Sequence, residues 1–118
     1  MAGEKVFVLS VENRPGTIAA AVEALAKAKV NVTSILGWNP AGVVQVTTDN
    51  PARARQALQS ANVQFSEADA ETAELSNEPG TLHKQLVQLA ERGVNIRSIC
   101  GTHSPGASKA TLIWTSEG

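Results

Sequence analysis

The sequence has 118 residues, a formal net charge of −1, and 42% hydrophobic but only 3% aromatic residues. Such a chain forms one ordinary domain or two very small ones, with a core built mainly from Val, Ile, Leu and Ala. It offers no basic surface to nucleic acid or an anionic membrane, no apolar run long enough to span a bilayer, and no signal-peptide core at its N-terminus.

Strand-like and helix-like segments alternate through the first part of the chain, as far as Ala68. Apolar residues alternate in the predicted strands and recur at helical spacing in the predicted helices. Residues 39–42 predict a hairpin turn, and Asn50 before Pro51 predicts a capped helix start. The order β-α-β-β-α-β predicts an α+β fold of the ferredoxin-like sandwich type. The predicted elements are a strand at 5–12, a helix at 17–29, strands at 30–38 and 43–48, a helix at 51–61 and a strand at 63–68.

The rest of the chain repeats the first part of that order. It predicts a weak, polar strand at 71–76, a helix that Gly93 ends, and a hairpin formed by 94–100 and 109–115. We therefore expect two modules, residues 1–68 and residues 69–118, of which the second is truncated to β-α-β-β. The open strand edge of so short a module favours a homodimer in which a second copy covers it.

One turn, Asn13-Arg14-Pro15-Gly16-Thr17, recurs later in the chain as Asn77-Glu78-Pro79-Gly80-Thr81. Over the 25 positions that start at each Asn, 11 residues are identical. Pro suits the first turn of a helix, Gly lets a group approach the backbone, and the free N–H groups of a helix start can bind a carboxylate. Asn31 and Asn95 are also retained, although a buried sheet has no intrinsic use for Asn. Their retention indicates a polar role, either local capping or ligand binding.

These residues resemble the ACT domain, a small ligand-sensing module of amino-acid metabolism. The resemblance rests on the two turns, of the form (N/D)-x-P-G-x-(L/I), and on the strands that begin with residues 30–32 and 94–96. It covers nearly the whole chain as two tandem modules and is similar to the stand-alone tandem ACT proteins, which carry no catalytic domain. It implies modules that pair side by side into one antiparallel sheet with the helices on one face.

The resemblance also implies a site for a small ligand, usually an amino acid, where the turn of one module meets the second strand of its neighbour. Asn13 and Asn77 would cap the turns and touch the ligand, while Asn31 and Asn95 would line the facing strands. Asn can serve both ends of a zwitterion because it donates and accepts hydrogen bonds. The implied ligand-binding residues are Asn13, Arg14, Pro15, Gly16, Thr17, Asn31, Ser34, Ile35, Asn77, Glu78, Pro79, Gly80, Thr81, Asn95, Ser98 and Ile99.

Other chemistries have weaker support. Cys100 and His103 could supply two ligands to a metal, but a zinc site needs three or four, so we expect no metal and no cofactor. No base stands recognisably beside a nucleophile, so we expect no catalytic residue. The aromatic-poor chain also lacks the stacking surface of an RNA binder of this fold order, and it has no copper-binding C-x-x-C turn. Trp38 and Trp114 are expected to pack in the hairpins, with a subunit interface as the alternative.

The sequence therefore predicts a non-catalytic regulatory protein that binds an amino acid or a similar small molecule at module or subunit interfaces. Its single cysteine favours the reducing cytoplasm. The opposite charges of Arg14 and Glu78 argue against two equivalent sites, so one site is expected to dominate. The alternative is a regulatory or adaptor subunit that docks on an enzyme of amino-acid metabolism or on a transcription factor. A small enzyme with an unrecognised site is the third hypothesis.

Overall fold

A computed structural model describes residues 2–102 and 105–117 of the chain. Within these residues it has six strands and three α-helices, which confirms the predicted α+β class. The hairpin turn predicted at residues 39–42 contains a short 3₁₀ turn. The elements in chain order are β1 (Ala2–Ser10), α1 (Thr17–Lys27), β2 (Val32–Trp38), the 3₁₀ turn (Asn39–Ala41), β3 (Val43–Thr48), α2 (Pro51–Ser60), β4 (Phe65–Ser76), α3 (Thr81–Glu91), β5 (Ile96–Thr102) and β6 (Lys109–Ser116).

The chain divides into two compact units. The first unit comprises residues 5–68, and the second comprises residues 2–4, 69–102 and 105–117. The strand order is β2-β3-β1-β4 in the first unit and β4-β6-β5 in the second. The first of these orders, with α1 and α2 as its crossovers, is the order expected for a ferredoxin-like sandwich.

Strand β4 differs from the prediction. Two strands were expected, at 63–68 and 71–76, but one strand of 12 residues runs from Phe65 to Ser76. Its sequence, FSEADAETAELS, contains no Gly, Pro or Asn that would favour a turn. The closing strand of the first unit therefore continues directly into the opening strand of the second, and the units divide within it between Ala68 and Asp69.

The core of the first unit lies between one face of its strands and its two helices. The cluster residues of β1 (Phe7 and Leu9) and of β3 (Val44 and Val46) alternate along each strand, so they share a face, and α1 and α2 both pack against it. The rings of Phe7 and Phe65 meet with their centroids 5.9 Å apart. The buried members of this cluster are Phe7, Leu9, Ala21, Leu25, Val30, Val44, Val46, Ala54 and Leu58.

The core of the second unit is smaller and is covered by one helix among the described residues. Leu89 of α3 packs against Leu112 and Trp114 of β6. Trp114 is only 1% exposed, as predicted for a packing residue. Trp38, by contrast, is 67% exposed, so the expectation that it packs in its hairpin was wrong. It is the last residue of β2, which is an edge strand among the described residues.

The two units share the same strand register. In the first unit Phe7 lies opposite Val46, and in the second Glu71 lies opposite Trp114. Each hairpin has an irregularity at the same place, between Val32 and Ser34 and between residues 96 and 98. Strands β1, β2 and β3 of the first unit therefore correspond, position by position, to the end of β4, to β5 and to β6 of the second.

The three described helices end in the same way. The residue after each C-cap has a positive φ, at Lys29 (59°), Asn62 (58°) and Gly93 (76°). The N–H of the next residue, always Val, then donates to a carbonyl in the last helical turn at 2.9 to 3.0 Å. This is the Schellman arrangement, and it confirms Gly93 as a helix terminator. At the start of α2, Asn50 caps the helix as predicted, because its side chain accepts from the Arg53 N–H at 3.1 Å.

One ion pair connects α2 to β4 within the first unit. Arg55 donates from Nε and from a terminal nitrogen to the two carboxylate oxygens of Glu67, at 2.6 and 2.7 Å. These hydrogen bonds, and then the charge of Glu67, raise the pKa of Arg55 above its ordinary value. The forked geometry fixes the side of α2 that faces β4.

Candidate functional site

The repeated sequence forms a type II β-turn in front of each helix. Gly16 has φ 86° and ψ −8°, and Gly80 has φ 89° and ψ −13°, the values of the third residue of such a turn. The N–H of Thr17 donates to the Arg14 carbonyl at 3.5 Å, and that of Thr81 donates to the Glu78 carbonyl at 3.3 Å. Gly is required because only it adopts this φ without strain, with Pro favoured just before it.

The Pro and Gly residues of the turns have other roles than the sequence predicted. Pro15 lies two residues before the first helical residue, Thr17, so it shapes the turn rather than the first turn of the helix. A Cβ built on Gly16 or Gly80 would meet nothing within 4 Å among the described atoms, so φ and not close approach selects these glycines. Neither helix has a described side-chain cap, because the N-cap positions are the glycines themselves.

The retained threonines close each turn against the strand that precedes it. The Thr17 hydroxyl lies 2.6 Å from the Glu12 carbonyl oxygen and 3.1 Å from that of Arg14. The Thr81 hydroxyl makes the same pair of contacts, at 2.7 Å to Ser76 and 3.0 Å to Glu78. The conformation of the turn therefore accounts for both threonines without any ligand.

Asn77 is held by the loop between β5 and β6. Its side-chain amide donates to the Ala107 carbonyl at 2.9 Å, and its backbone N–H donates to the Ser108 carbonyl at 3.0 Å. Asn13, in contrast, is exposed. The two Asn residues therefore have different surroundings, and the second one fixes the position of its turn relative to the hairpin.

The retained serines lie next to the hairpin irregularities and bond across the strands. The Ser34 hydroxyl is 2.6 Å from that of Thr47, which also bonds the Thr33 hydroxyl at 2.7 Å. Ser98 pairs with Thr115 in the same manner. Thr47 and Thr115 are both buried, so these bonds satisfy hydroxyls that water does not reach. Sheet structure thus explains why both serines are retained.

Asn31 and Asn95 stand at the far end of each helix from the turn. The Asn31 carbonyl accepts from the Asp49 N–H at 3.0 Å, and the Asn95 carbonyl accepts from the Glu117 N–H at 2.8 Å. Each Asn follows a helix of 11 residues, whereas the turn precedes it, so about 16 Å of helix separates them. Neither unit brings its own turn and Asn together, and a site shared between neighbouring modules stays a prediction.

An apolar cleft of about 660 Å³ opens in the second unit beside the second copy of the turn. It lies between the first half of α3, the end of β4 and the β5–β6 hairpin. Of the predicted site residues, the lining includes Asn77, Glu78, Pro79, Thr81 and Ile99, and it does not include Gly80, Asn95 or Ser98. The complete lining is Leu75, Ser76, Asn77, Glu78, Pro79, Thr81, Leu82, Leu86, Ile99, Gly101, Thr102, Ala110, Thr111 and Leu112.

The sequence prediction missed most of the apolar wall of this cleft. Leu82 and Leu86 recur at helical spacing, a pattern that predicts a side of the helix facing the core, yet Leu82 is 48% exposed. The signal that could have found the cleft is the pair Gly37 and Gly101, which is identical in the two copies. A glycine in a strand weakens it, so its retention points to a place where the sheet surface is left bare.

The electrostatics of the two turns differ. In the first turn Arg14 pairs with Glu12 at 2.7 Å, so the two charges offset each other. In the second turn Glu78 replaces the arginine and Ser76 replaces the glutamate. Glu78 is exposed and has no ion-pair partner in the described part of the chain. The rim of the cleft therefore carries one uncompensated negative charge.

The described residues contain no group of three or more His, Cys, Asp and Glu side chains that could hold a metal ion. Of the Cys100–His103 pair considered from sequence, His103 lies outside the described residues. Helices that are both long and apolar enough to cross a membrane are also missing from the described chain.

Several solved structures have the same fold as this chain. A protein from Bacteroides thetaiotaomicron superposes with a TM-score of 0.85 at 22% identity, over 98% of this chain and 81% of that one. The regulatory subunit of aspartate kinase from Thermus thermophilus, in a ligand-free form, gives 0.70 at 18% identity, over 96% and 81%. Aspartokinase III of E. coli, in complex with lysine and aspartate, gives 0.62 at 16% identity, over 96% of this chain and 28% of that one.

No family model and no curated protein sequence matches this chain. At these identities the structural likeness establishes the fold alone. The chain has an α+β fold like that of the regulatory subunit of aspartate kinase.

Proposed function

We propose that this chain is a non-catalytic regulatory protein made of two tandem ACT-like modules, which senses an amino acid. The observation that carries the proposal is the apolar cleft beside the Asn77 turn, in a fold shared with regulatory domains of aspartate kinase. Its volume of about 660 Å³ lies in the range of small-molecule sites. Lysine and aspartate are bound in the E. coli aspartokinase III complex, which has the same fold over this chain.

The two-module interpretation is supported by geometry that repeats across the units. The turns, the closing threonine bonds, the hairpin irregularities and the strand registers all coincide. The second module in this interpretation opens with the last part of β4 and takes residues 2–4 of β1 as an additional strand segment. The predicted division at residue 68 stays a proposal, and two strands, β1 and β4, are divided between the modules.

In this proposal the ligand's side chain occupies the apolar wall of the cleft, and its polar end meets the turn. The N–H groups of Leu82 and His83 lie in the first turn of α3, where a helix has no internal acceptor for them. They are donors for a carboxylate, while Glu78 is an acceptor for an ammonium group. The site would then draw on the second copy of the turn, so the first copy contributes to a different site or to none.

A thermal-shift screen of the full chain against the twenty amino acids tests the proposal. A ligand at 100 times its Kd stabilises the protein by about 2.7 kcal/mol, which raises the Tm of a domain of this size by several degrees. We expect such a shift with at least one amino acid. If none of the twenty changes the Tm at millimolar concentration, the sensor function is wrong.

Asn77→Ala and Asn13→Ala form a matched pair that locates the site. We expect Asn77→Ala to abolish the ligand-induced shift, because it releases the turn from Ala107 at the cleft. Asn13→Ala should leave the shift unchanged. If only Asn13→Ala loses the ligand-induced change in Tm, the site lies in the first unit. The Tm of each variant without ligand is the control for destabilisation of the fold.

A regulatory or adaptor subunit is a second candidate function, favoured by apolar residues that the first unit exposes. Trp38 is 67% exposed and Ile35 is 53% exposed on the same strand, β2. Exposed aromatic and aliphatic side chains of this kind mark protein contacts, including contacts between two copies in a homodimer. A stoichiometric partner that is lost with Trp38→Ser would support the adaptor, and a monomeric mass at micromolar concentration would contradict the homodimer.

A further inference from the structure

The chemistry of the cleft lining limits which amino acids it can accept. Apolar side chains come from all four elements that form it, and the charged groups of the lining are limited to Glu78 at the turn. Transfer of a charged or strongly polar side chain to such a surface is unfavourable unless a partner is present there. The apolar members of the wall are Leu75, Leu82, Leu86, Ile99, Ala110 and Leu112.

A bare strip of sheet lies in this wall. Gly101 is opposite Leu112 in the hairpin, and a Cβ at Gly101 would approach Leu112 Cδ1 at 3.4 Å. Gly37 occupies the same register opposite Val44, with its Cβ 3.7 Å from Val44 Cγ2. Neither glycine has a positive φ, so backbone conformation does not require it. Gly101 instead leaves room in the cleft for a side chain from outside the protein.

Glu78 sets the charge preference of the polar end. Its carboxylate is at the rim and unpaired within the described chain, so it attracts an ammonium group and opposes a second carboxylate. An acidic side chain would therefore meet both an apolar wall and a like charge. If the side-chain ammonium group of a lysine ligand contacted Glu78, its four methylenes would lie across the apolar wall. The α-ammonium group of that ligand would then have no contact with Glu78.

This inference rests on the proposed function. We propose that this cleft selects amino acids with a branched aliphatic side chain. The side chain lies against Gly101, Leu82 and Leu86, and the ammonium group lies toward Glu78. Burial of a Leu-sized side chain is worth about 1.5–3 kcal/mol, or roughly ten- to a hundredfold in affinity. The preference follows from the second unit alone and needs no second copy of the chain.

Isothermal titration of the full chain with leucine, isoleucine and valine, and with lysine, aspartate and threonine, tests this inference. We expect the aliphatic group to bind at least about tenfold more tightly than the polar group. Tight binding of lysine, aspartate or threonine without binding of the aliphatic group overturns the inference and leaves the sensor function standing. Binding of none of the six also overturns the inference, and the thermal-shift screen of all twenty amino acids then decides whether the sensor function is wrong as well.

Matched variants connect the preference to the cleft. Leu82→Ser and Ile18→Ser remove side chains that are 48% and 45% exposed at corresponding positions, so both proteins should fold. Leucine affinity should fall about tenfold in Leu82→Ser and stay unchanged in Ile18→Ser. Gly101→Val fills the cleft and should abolish leucine binding. Gly37→Val should retain it. Equal losses within either pair would overturn the assignment to the second unit.

The charge preference has its own readout. Replacing leucine by 4-methylpentanoate, which lacks the ammonium group, should weaken binding to the natural protein. Glu78→Gln should weaken leucine binding by about fivefold, the effect of one exposed ion pair, and should not weaken 4-methylpentanoate binding. Arg14→Gln is the matched control in the first turn. Equal effects of Glu78→Gln on both ligands would contradict the proposed position of the ammonium group.

Discussion

The two units have the same turn, the same register and the same hairpin irregularity, but they differ in what lies over the sheet. In the first unit α1 and α2 contact each other and share a core. The side of α1 that packs into this core carries small residues, which allow two helices to approach closely. They are Ala21, Ala24 and Ala28, and Phe7 lies below them on β1.

The corresponding positions of the second unit are polar. Gln85, Gln88 and Arg92 replace the three alanines, and Glu71 replaces Phe7. Arg92 and Glu71 lie 3.8 Å apart, with both side chains more than 40% exposed. The second unit therefore presents a solvated surface where the first unit packs a second helix. The second unit, which has one helix among its described residues, thus keeps polar residues at this place, and its apolar opening is instead on the β5 side of α3.

Exchanging residues between the two helices tests this comparison most severely. Ala21→Gln should destabilise the protein by about 2 kcal/mol, because a larger polar side chain must enter the core that α2 shares. Gln85→Ala should change stability by less than about 0.5 kcal/mol, because Gln85 is only half-buried. Urea denaturation of both variants measures the difference. Equal effects would show that the two helix faces are not in different environments.

Removal of the turn hydroxyls should affect both units alike. Thr17→Val and Thr81→Val each lose a bond to the carbonyl of the residue just before the turn, Glu12 at 2.6 Å and Ser76 at 2.7 Å. We expect a loss of about 1 kcal/mol in each, the net value of one such hydrogen bond. Thr17→Ser and Thr81→Ser keep the hydroxyl and should recover most of the stability. If the losses in Thr17→Val and Thr81→Val differ from each other by more than about 1 kcal/mol, the two turns are not equivalent.

The helix ends should give the smallest effect, and with opposite signs. Lys29 holds a φ of 59° that Gly93 adopts without strain at the same place in the second unit. Lys29→Gly should stabilise the protein by about 0.5 kcal/mol, and Gly93→Ala should destabilise it by about 1 kcal/mol. Thermal unfolding of the two variants checks the signs. Stabilisation by Gly93→Ala would contradict the left-handed conformation at that position.

Sequence periodicity predicted most elements because the relevant signals are local. The Asn50–Pro51 start and the Gly93 stop depend on a few neighbouring residues, and the structure places helix ends at both. The interruption expected between the predicted strands at 63–68 and 71–76 was wrong, because a polar strand and a linker have similar compositions. Only pairing with β6, from Glu71 to Ser76, distinguishes them, and that pairing joins residues far apart in sequence.

The candidate site was predictable in part for the same reason. Two copies of one turn pointed to Asn77 and Thr81, which do line the cleft. The contribution of Leu82, Ala110 and Gly101 depends on how far α3 stands from the hairpin, which no local pattern encodes. Ser34 and Ser98 show the converse, because identical residues at a fixed offset suggested a ligand where buried threonines on β3 and β6 explain them.

The sharing of strands also sets the order in which the chain can fold during synthesis. Every element of the first unit lies within residues 5–68, so that unit can close as soon as Ala68 has emerged from the ribosome. The second unit contains residues 2–4 and also β6, which is made much later. Contacts between such distant residues form slowly. A nascent chain therefore carries a folded first unit before the apolar cleft of the second unit exists, because residues of β6 line that cleft.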